Sequence, residues 1–162
     1  MKFLAGIAFG LACAGGASAE DDWRVPDWKP IADLSRPEDK ALASGALGAA
    51  VVGADGRRDF LLVEKASTGS CGDYDFSVFG PANSSGKRPA QPEFSYCAGA
   101  LKYRPDGSGF LVSGIRVGSD ISGPSGWVFE DVRLKREKGM WTEAVVMVIQ
   151  YQDGQPKVLK QN

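Results

Sequence analysis

Histidine does not occur anywhere in the 162 residues. Its absence excludes Ser-His-Asp and Cys-His catalysis, imidazole acid–base work and the usual zinc and copper sites. An enzyme built on this chain would have to work with carboxylates, Lys, Tyr or Ser, and the sequence offers no nucleophile constellation. The expectation is a protein without catalytic residues, cofactor or metal.

Clustered basic charge is scarce as well. Nineteen Lys and Arg stand against twenty Asp and Glu, and the only basic groups are Arg57-Arg58, Lys87-Arg88 and Arg133 to Lys138. Nucleic acid is therefore not expected as a partner, since a phosphate-binding face needs concentrated Lys and Arg. No apolar run beyond the first dozen residues approaches the roughly eighteen needed for a membrane-spanning helix. An outer-membrane barrel is not expected either, because the strands are few and several are polar on both faces.

Cysteine is rare, and its positions matter. Lys2, the apolar run from Phe3 to about Ala12, and the small-x-small pattern Ala17-Ser18-Ala19 read as a signal peptide over residues 1–19. Cleavage after Ala19 removes Cys13, leaving Cys71 and Cys97 as a pair in a compartment where disulfides persist. Lipidation at Cys13 is the alternative, although Gly10-Leu11-Ala12 lacks the large aliphatic residue usual three positions upstream. A secreted protein is expected, placed for a bacterial host in the periplasm or outside the cell. The mature chain of about 143 residues suits a single domain.

Residues 20–34 carry Trp23 and Trp28 among prolines and charges, and read as an extended segment anchored by its two indoles. Residues 35–162 form the expected domain. Ser35-Arg36-Pro37-Glu38 fits a capping box, which predicts a short helix of about ten residues lying on a sheet. From Ala49 the period becomes alternating and turns recur, which is the pattern of antiparallel β structure. Strands are predicted near Ala49 to Gly53, Phe60 to Lys65, Tyr74 to Phe79, Phe94 to Tyr103, Phe110 to Val117, Val128 to Lys135 and Glu143 to Tyr151, with a short one at Lys157 to Leu159. Asp55-Gly56, Pro105-Asp106-Gly107, Lys138-Gly139 and Asp153-Gly154 supply the turns. Ala144 to Ile149 is apolar at every position and predicts a strand covered on both faces. The fold expected is mainly β: a sandwich or small barrel of about six to eight strands with one short N-terminal helix. An α+β arrangement, with a curved antiparallel sheet wrapped on the helix, is the alternative.

A disulfide between Cys71 and Cys97 would close a loop of about 27 residues, contributing about 3.5 kcal/mol on the chain-entropy account. Within it, Gly80 to Glu93 holds three prolines and almost no apolar residue. Long loops of this kind often carry function, so Pro81, Asn83, Lys87, Arg88, Pro89 and Gln91 are candidate partner-binding residues. The equal alternative is a tolerated insertion that the disulfide keeps in place. Ser122 to Trp127 is a glycine-serine turn ending in an indole, which adds Trp127 as a candidate contact or as the first buried residue of its strand. Phosphate-loop and Ser-x-x-Lys matches between Gly80 and Lys87 lack the companion motifs that would give them meaning.

Asp73 and Asp75 are the best paired carboxylates, able in principle to hold a calcium ion or act as acid and base, and otherwise an ordinary solvated edge. The function expected is an exported, non-catalytic binding protein, of inhibitor, immunity or envelope-accessory type, with an envelope or extracellular protein as partner. A small-ligand carrier with a barrel cavity and a carboxylate hydrolase are the alternatives. The carrier would keep Phe110, Val112, Val146 and Val148 around a cavity. The hydrolase would need Asp73 or Asp75 to meet Glu64, Glu93 or Glu130 in one cleft.

Overall fold

The computed structural model describes residues 22–54, 57–67, 72–119 and 126–162. The expected signal peptide, Cys13, Cys71, the expected turn at Asp55-Gly56 and Ser122 to Ser125 lie outside them. Among the described residues, nine strands in two antiparallel sheets form a β-sandwich. The first sheet contains β1 (Gly48–Val52), β2 (Asp59–Lys65), β3 (Tyr74–Phe79) and β4 (Phe94–Ala98). The second contains β5 (Ala100–Tyr103), β6 (Gly109–Ser119), β7 (Trp127–Glu137), β8 (Met140–Gln152) and β9 (Gln155–Gln161). Every strand pairs with its sequence neighbour except across Gly99. There the stretch expected as one strand changes sheets, and the Gly99 N–H donates to the Ser113 carbonyl at 3.0 Å.

The alternation of side chains explains the layers. Leu61 and Val63 of β2, with Phe76 and Val78 of β3, face Phe110, Val112, Val132 and Leu134 of the second sheet in one core. Phe60, Leu62 and Phe79 point the other way and pack with Leu34, Ala43 and Ala49 in a second core. The strand covered on both faces is therefore β2, not the Ala144 to Ile149 stretch, whose residues are at most half-buried. The difference arises because the helical segment covers the outer face of the first sheet and leaves the second sheet bare on that side.

That helix, α1, spans only Pro37–Leu42 and has no side-chain cap. A residue preceding proline is pushed into extended backbone, so Arg36 (φ −100°, ψ 126°) becomes the N-cap. Ser35 falls one position outside, and the expected capping box does not form. Asp39 of the first turn is buried and spent on tertiary pairing.

The N-terminal segment is held as expected. Trp28 packs on Phe76 with ring centroids 5.9 Å apart, and Arg104 lies over the Trp23 ring. Its backbone also bridges to both sheets, Arg24 to Tyr103 and Lys29 to Ala49. Lys138-Gly139 and Asp153-Gly154 close their hairpins with both residues at positive φ, the two-residue geometry that matches strand twist. No helix among the described residues is long and apolar enough to cross a membrane.

Candidate functional site

The second sheet outgrows the first. Its strand β8 has thirteen residues, whereas no strand of the first sheet exceeds seven. The half of β6–β8 nearest Trp141 lies under the first sheet and supplies the core. The other half continues past it, and two irregularities mark the transition. In β6 the register slips between Val112 and Ile115, with Gly114 at φ +73°, a backbone angle that side-chain-bearing residues rarely adopt. The Gly114 N–H, freed from the ladder, donates to Asp131 Oδ1 at 2.9 Å. In β8 the slip falls opposite Asp131 and Val132.

Beyond these bulges the register sets Phe129 opposite Ile149, while Trp127 lies two residues along β7 and Tyr151 two along β8. The rings meet edge to face: Trp127 and Phe129 at 6.2 Å and 70°, Phe129 and Tyr151 at 5.6 Å and 85°. Arg116 lays its guanidinium 4.7 Å over the Trp127 ring. Together with Gly72, Asp73 and Gly99 at the corner of the first sheet, and Asp153 of the last hairpin, they line a trough of about 800 Å³. Its rings are half-buried or exposed, Tyr151 at 37 %. Three carboxylates, Asp73, Asp131 and Asp153, line it against one arginine.

The loop between β3 and β4 is placed differently. Arg88 turns inward, with its side chain 6 % exposed, and its Nε donates to Asp39 Oδ1 at 2.8 Å. It also donates to the Arg58 and Gly80 carbonyls and lies over the Phe60 ring. Arg36 reaches the Gly86 carbonyl, and Asn83 Oδ1 accepts from the Lys87 N–H and the Ser85 hydroxyl. Arg88 and Arg36 therefore hold the loop down, while Asn83 closes a turn within it and is itself exposed. Lys87, Pro89 and Gln91 are exposed, and Pro81 is half-buried.

At the foot of this loop Glu93 joins a charged cluster between the sheets. It accepts from Arg57 Nη2 at 2.9 and 3.0 Å, from Arg136 Nη2 at 2.7 Å and from the Trp141 indole at 2.6 Å. Behind it Asp59 is 1 % exposed. Arg57 Nε lies 3.3 Å and Arg136 Nη2 3.8 Å from its oxygens, close enough to pair but not aligned as hydrogen bonds. Burial pushes the Asp59 carboxyl up to about 6; Glu93 adds to this, while Arg57 and Arg88 oppose it. The arrangement fixes strand β2 against β7.

Asp73 lines the trough, and Asp75 sits opposite Glu64 and Cys97 in the first sheet. Among the described residues no group of three or more acidic or cysteine side chains could hold a metal ion. Glu93 belongs to the distant cluster, and Glu130 lies in β7 opposite Ile115 and Val148. Phe110 and Val112 are packed in the core between the sheets instead of around a cavity, while Val146 and Val148 lie half-buried in β8.

Of the trough residues, Trp127 and Asp73 were identifiable as candidates from sequence. Phe129, Ile149, Tyr151 and Arg116 were not. Their signal was the alternation Trp127-x-Phe129-x-Asp131 opposite Ile149-x-Tyr151, which marks one face of a hairpin but does not say whether that face is covered. No known family model matches the chain, and no curated protein or solved structure matches it.

Proposed function

We propose that this is an exported, non-catalytic binding protein that engages a basic, apolar segment of an envelope or extracellular protein through the aromatic trough. One observation carries the reading: three edge-to-face rings line the trough on the extended half of the second sheet, half-buried at Trp127 and Phe129 and 37 % exposed at Tyr151, with the Arg116 guanidinium laid over Trp127. Large aromatic rings left open to water at the centre of a concave surface are the side chains that most often anchor a partner. The charge of the lining chooses the partner. Three aspartates against Arg116 leave the trough net negative, which favours Lys or Arg flanking the inserted apolar groups and disfavours acidic sequences.

Export rests on the leader-like first nineteen residues. A Cys71–Cys97 disulfide is consistent with the packing beside it. A Cβ on Gly72 would fall 2.4 Å from the Ala98 backbone, so the two chain segments touch one residue from each cysteine. Such a bond would tie the corner of the first sheet to the wall of the trough.

The test is binding of a short peptide alternating Lys with Phe or Leu, beside a copy with Glu for Lys. The basic peptide should bind and should lose at least about tenfold in affinity in Trp127→Ala, the scale of a central aromatic anchor. Binding should also weaken in Asp153→Asn. Equal binding of the acidic copy, or indifference to Trp127→Ala, would sink the proposal.

A further inference from the structure

We infer that a second site, in the cleft between the start of α1, the end of β1 and the loop after β3, binds an oxyanion through Arg58 and Arg36. The inference is independent of the trough. The cleft measures about 420 Å³ and, among the described residues, is lined by four arginines, Arg36, Arg57, Arg58 and Arg88, and a single carboxylate residue, Asp39.

Existing pairs do not use up that charge. Arg88 takes both Asp39 oxygens, at 2.8 and 3.5 Å. Arg57 is committed to Glu93 and Asp59, which it shares with Arg136. Arg36 donates to the neutral Gly86 carbonyl and stands 4.0 Å from an Asp39 oxygen that Arg88 already holds. Among the described residues the exposed Arg58 guanidinium has no ion-pair or hydrogen-bond partner; only its carbonyl is used, by Arg88. Among the described residues, five arginines of the cleft and the adjoining cluster thus stand against three carboxylates, Asp39, Asp59 and Glu93, in a chain whose overall charge is −1.

Concavity turns this surplus into a site. Leu34, Val51 and Pro81 supply low-dielectric walls, which focus the field of the arginines into the cleft. A planar guanidinium offers paired N–H donors that match two oxygens of a carboxylate, sulfate or phosphate, and the Ser35 hydroxyl at the rim can donate a further hydrogen bond. The ligand class is therefore an oxyanion group small enough to enter beside Pro81. Asp59 sits behind Arg57, faced also by Arg136, Arg88 and Glu93. Its protonation near pH 6 leaves the cluster more positive, so binding of sulfate, whose own charge does not change there, should strengthen as pH falls through that range.

Calorimetric titration of the full mature chain with inorganic phosphate, sulfate and citrate, at constant ionic strength set by sodium chloride, tests this. At least one anion should bind saturably, and Arg58→Gln should weaken it by about tenfold or more, the loss of one charge-assisted pair. Lys157→Gln, an exposed basic residue of β9, should leave it unchanged. The anion that binds tightest names the group, carboxylate or tetrahedral. Heats that never saturate, or that Arg58→Gln and Lys157→Gln alter alike, would overturn the site and leave only general screening of surface charge.

Discussion

The two ends of β8 carry opposite chemistry. At one end Trp141 is locked in place: its indole donates to Glu93, Arg136 stacks on it at 4.0 Å, and Phe94 and Phe110 pack against it at 5.3 and 5.5 Å. At the other end, ten residues or about 33 Å along the strand, Tyr151 meets Phe129, which in turn meets Trp127, and these rings stay half-buried or exposed. Near Trp141 the fold buries charge and pairs it, whereas near Tyr151 it leaves apolar rings in the open. Buried charge costs desolvation and is tolerated where partners fix its geometry. Exposed aromatic surface costs solubility and is tolerated where something else uses it. The comparison separates what holds this sandwich together from what it offers to a partner, and variants at each end should respond accordingly.

The largest effect belongs to the paired end. Arg88→Met leaves Asp39 buried without its main partner and should cost about 3–5 kcal/mol in chemical denaturation. Arg36, 4.0 Å from Asp39, can recover part of this. Adding Asp39→Leu to the same chain should restore much of the loss, because the uncompensated charge goes with it. A single variant that loses less than about 1 kcal/mol would show that the loop is held by something other than this pair.

Asp59 gives the next largest effect, as a dependence on pH. Its carboxyl titrates near 6 in the fold against an ordinary 3.8, so between those values the folded state holds a proton that the unfolded state has released. Stability should therefore rise as pH falls from about 6 toward 4 and be lowest above 6, the difference being roughly 2–3 kcal/mol. Asp59→Asn should flatten that slope. If denaturation midpoints of the two proteins run parallel from pH 7 to 4, the carboxylate is compensated more fully than its geometry indicates.

Most of the strand order could be read from the chain, because alternation and Asp-Gly or Lys-Gly turns act locally. Tyr74 to Phe79 falls on its predicted limits, and the hairpins at Lys138-Gly139 and Asp153-Gly154 stand where expected. What could not be read depended on distant layers. Ala144 to Ile149 is apolar throughout, but whether such a strand is covered depends on where α1 docks, and α1 docks on the first sheet. The strand count rose to nine because Gly99 breaks one long stretch into two. Arg88 looked like an exposed loop residue, since nothing local reveals that Asp39, 49 residues away, waits beneath it. The trough was half-visible for the same reason: Trp127 is conspicuous alone, but Phe129 and Tyr151 gain meaning only when the two bulges carry β7 and β8 beyond the first sheet.

The smallest stability effect should come from the exposed end, and it bears most directly on the comparison. Phe129 makes two edge-to-face contacts, with Trp127 and Tyr151, and such pairs contribute about 0.5–1.5 kcal/mol each beyond burial in well-ordered settings. Here the rings are partly solvated, so Phe129→Ala should cost only about 1 kcal/mol, against the 3–5 kcal/mol usual for a phenylalanine deleted from a packed core. Unfolding should stay a single transition with an unchanged dependence on denaturant, since little buried surface is lost. The same variant should strongly weaken the basic peptide, because Phe129 is the middle ring of the three. A loss of 3 kcal/mol or more would make the trough a third hydrophobic core of the fold. A small loss of stability with a large loss of binding would separate the two ends of β8 as proposed.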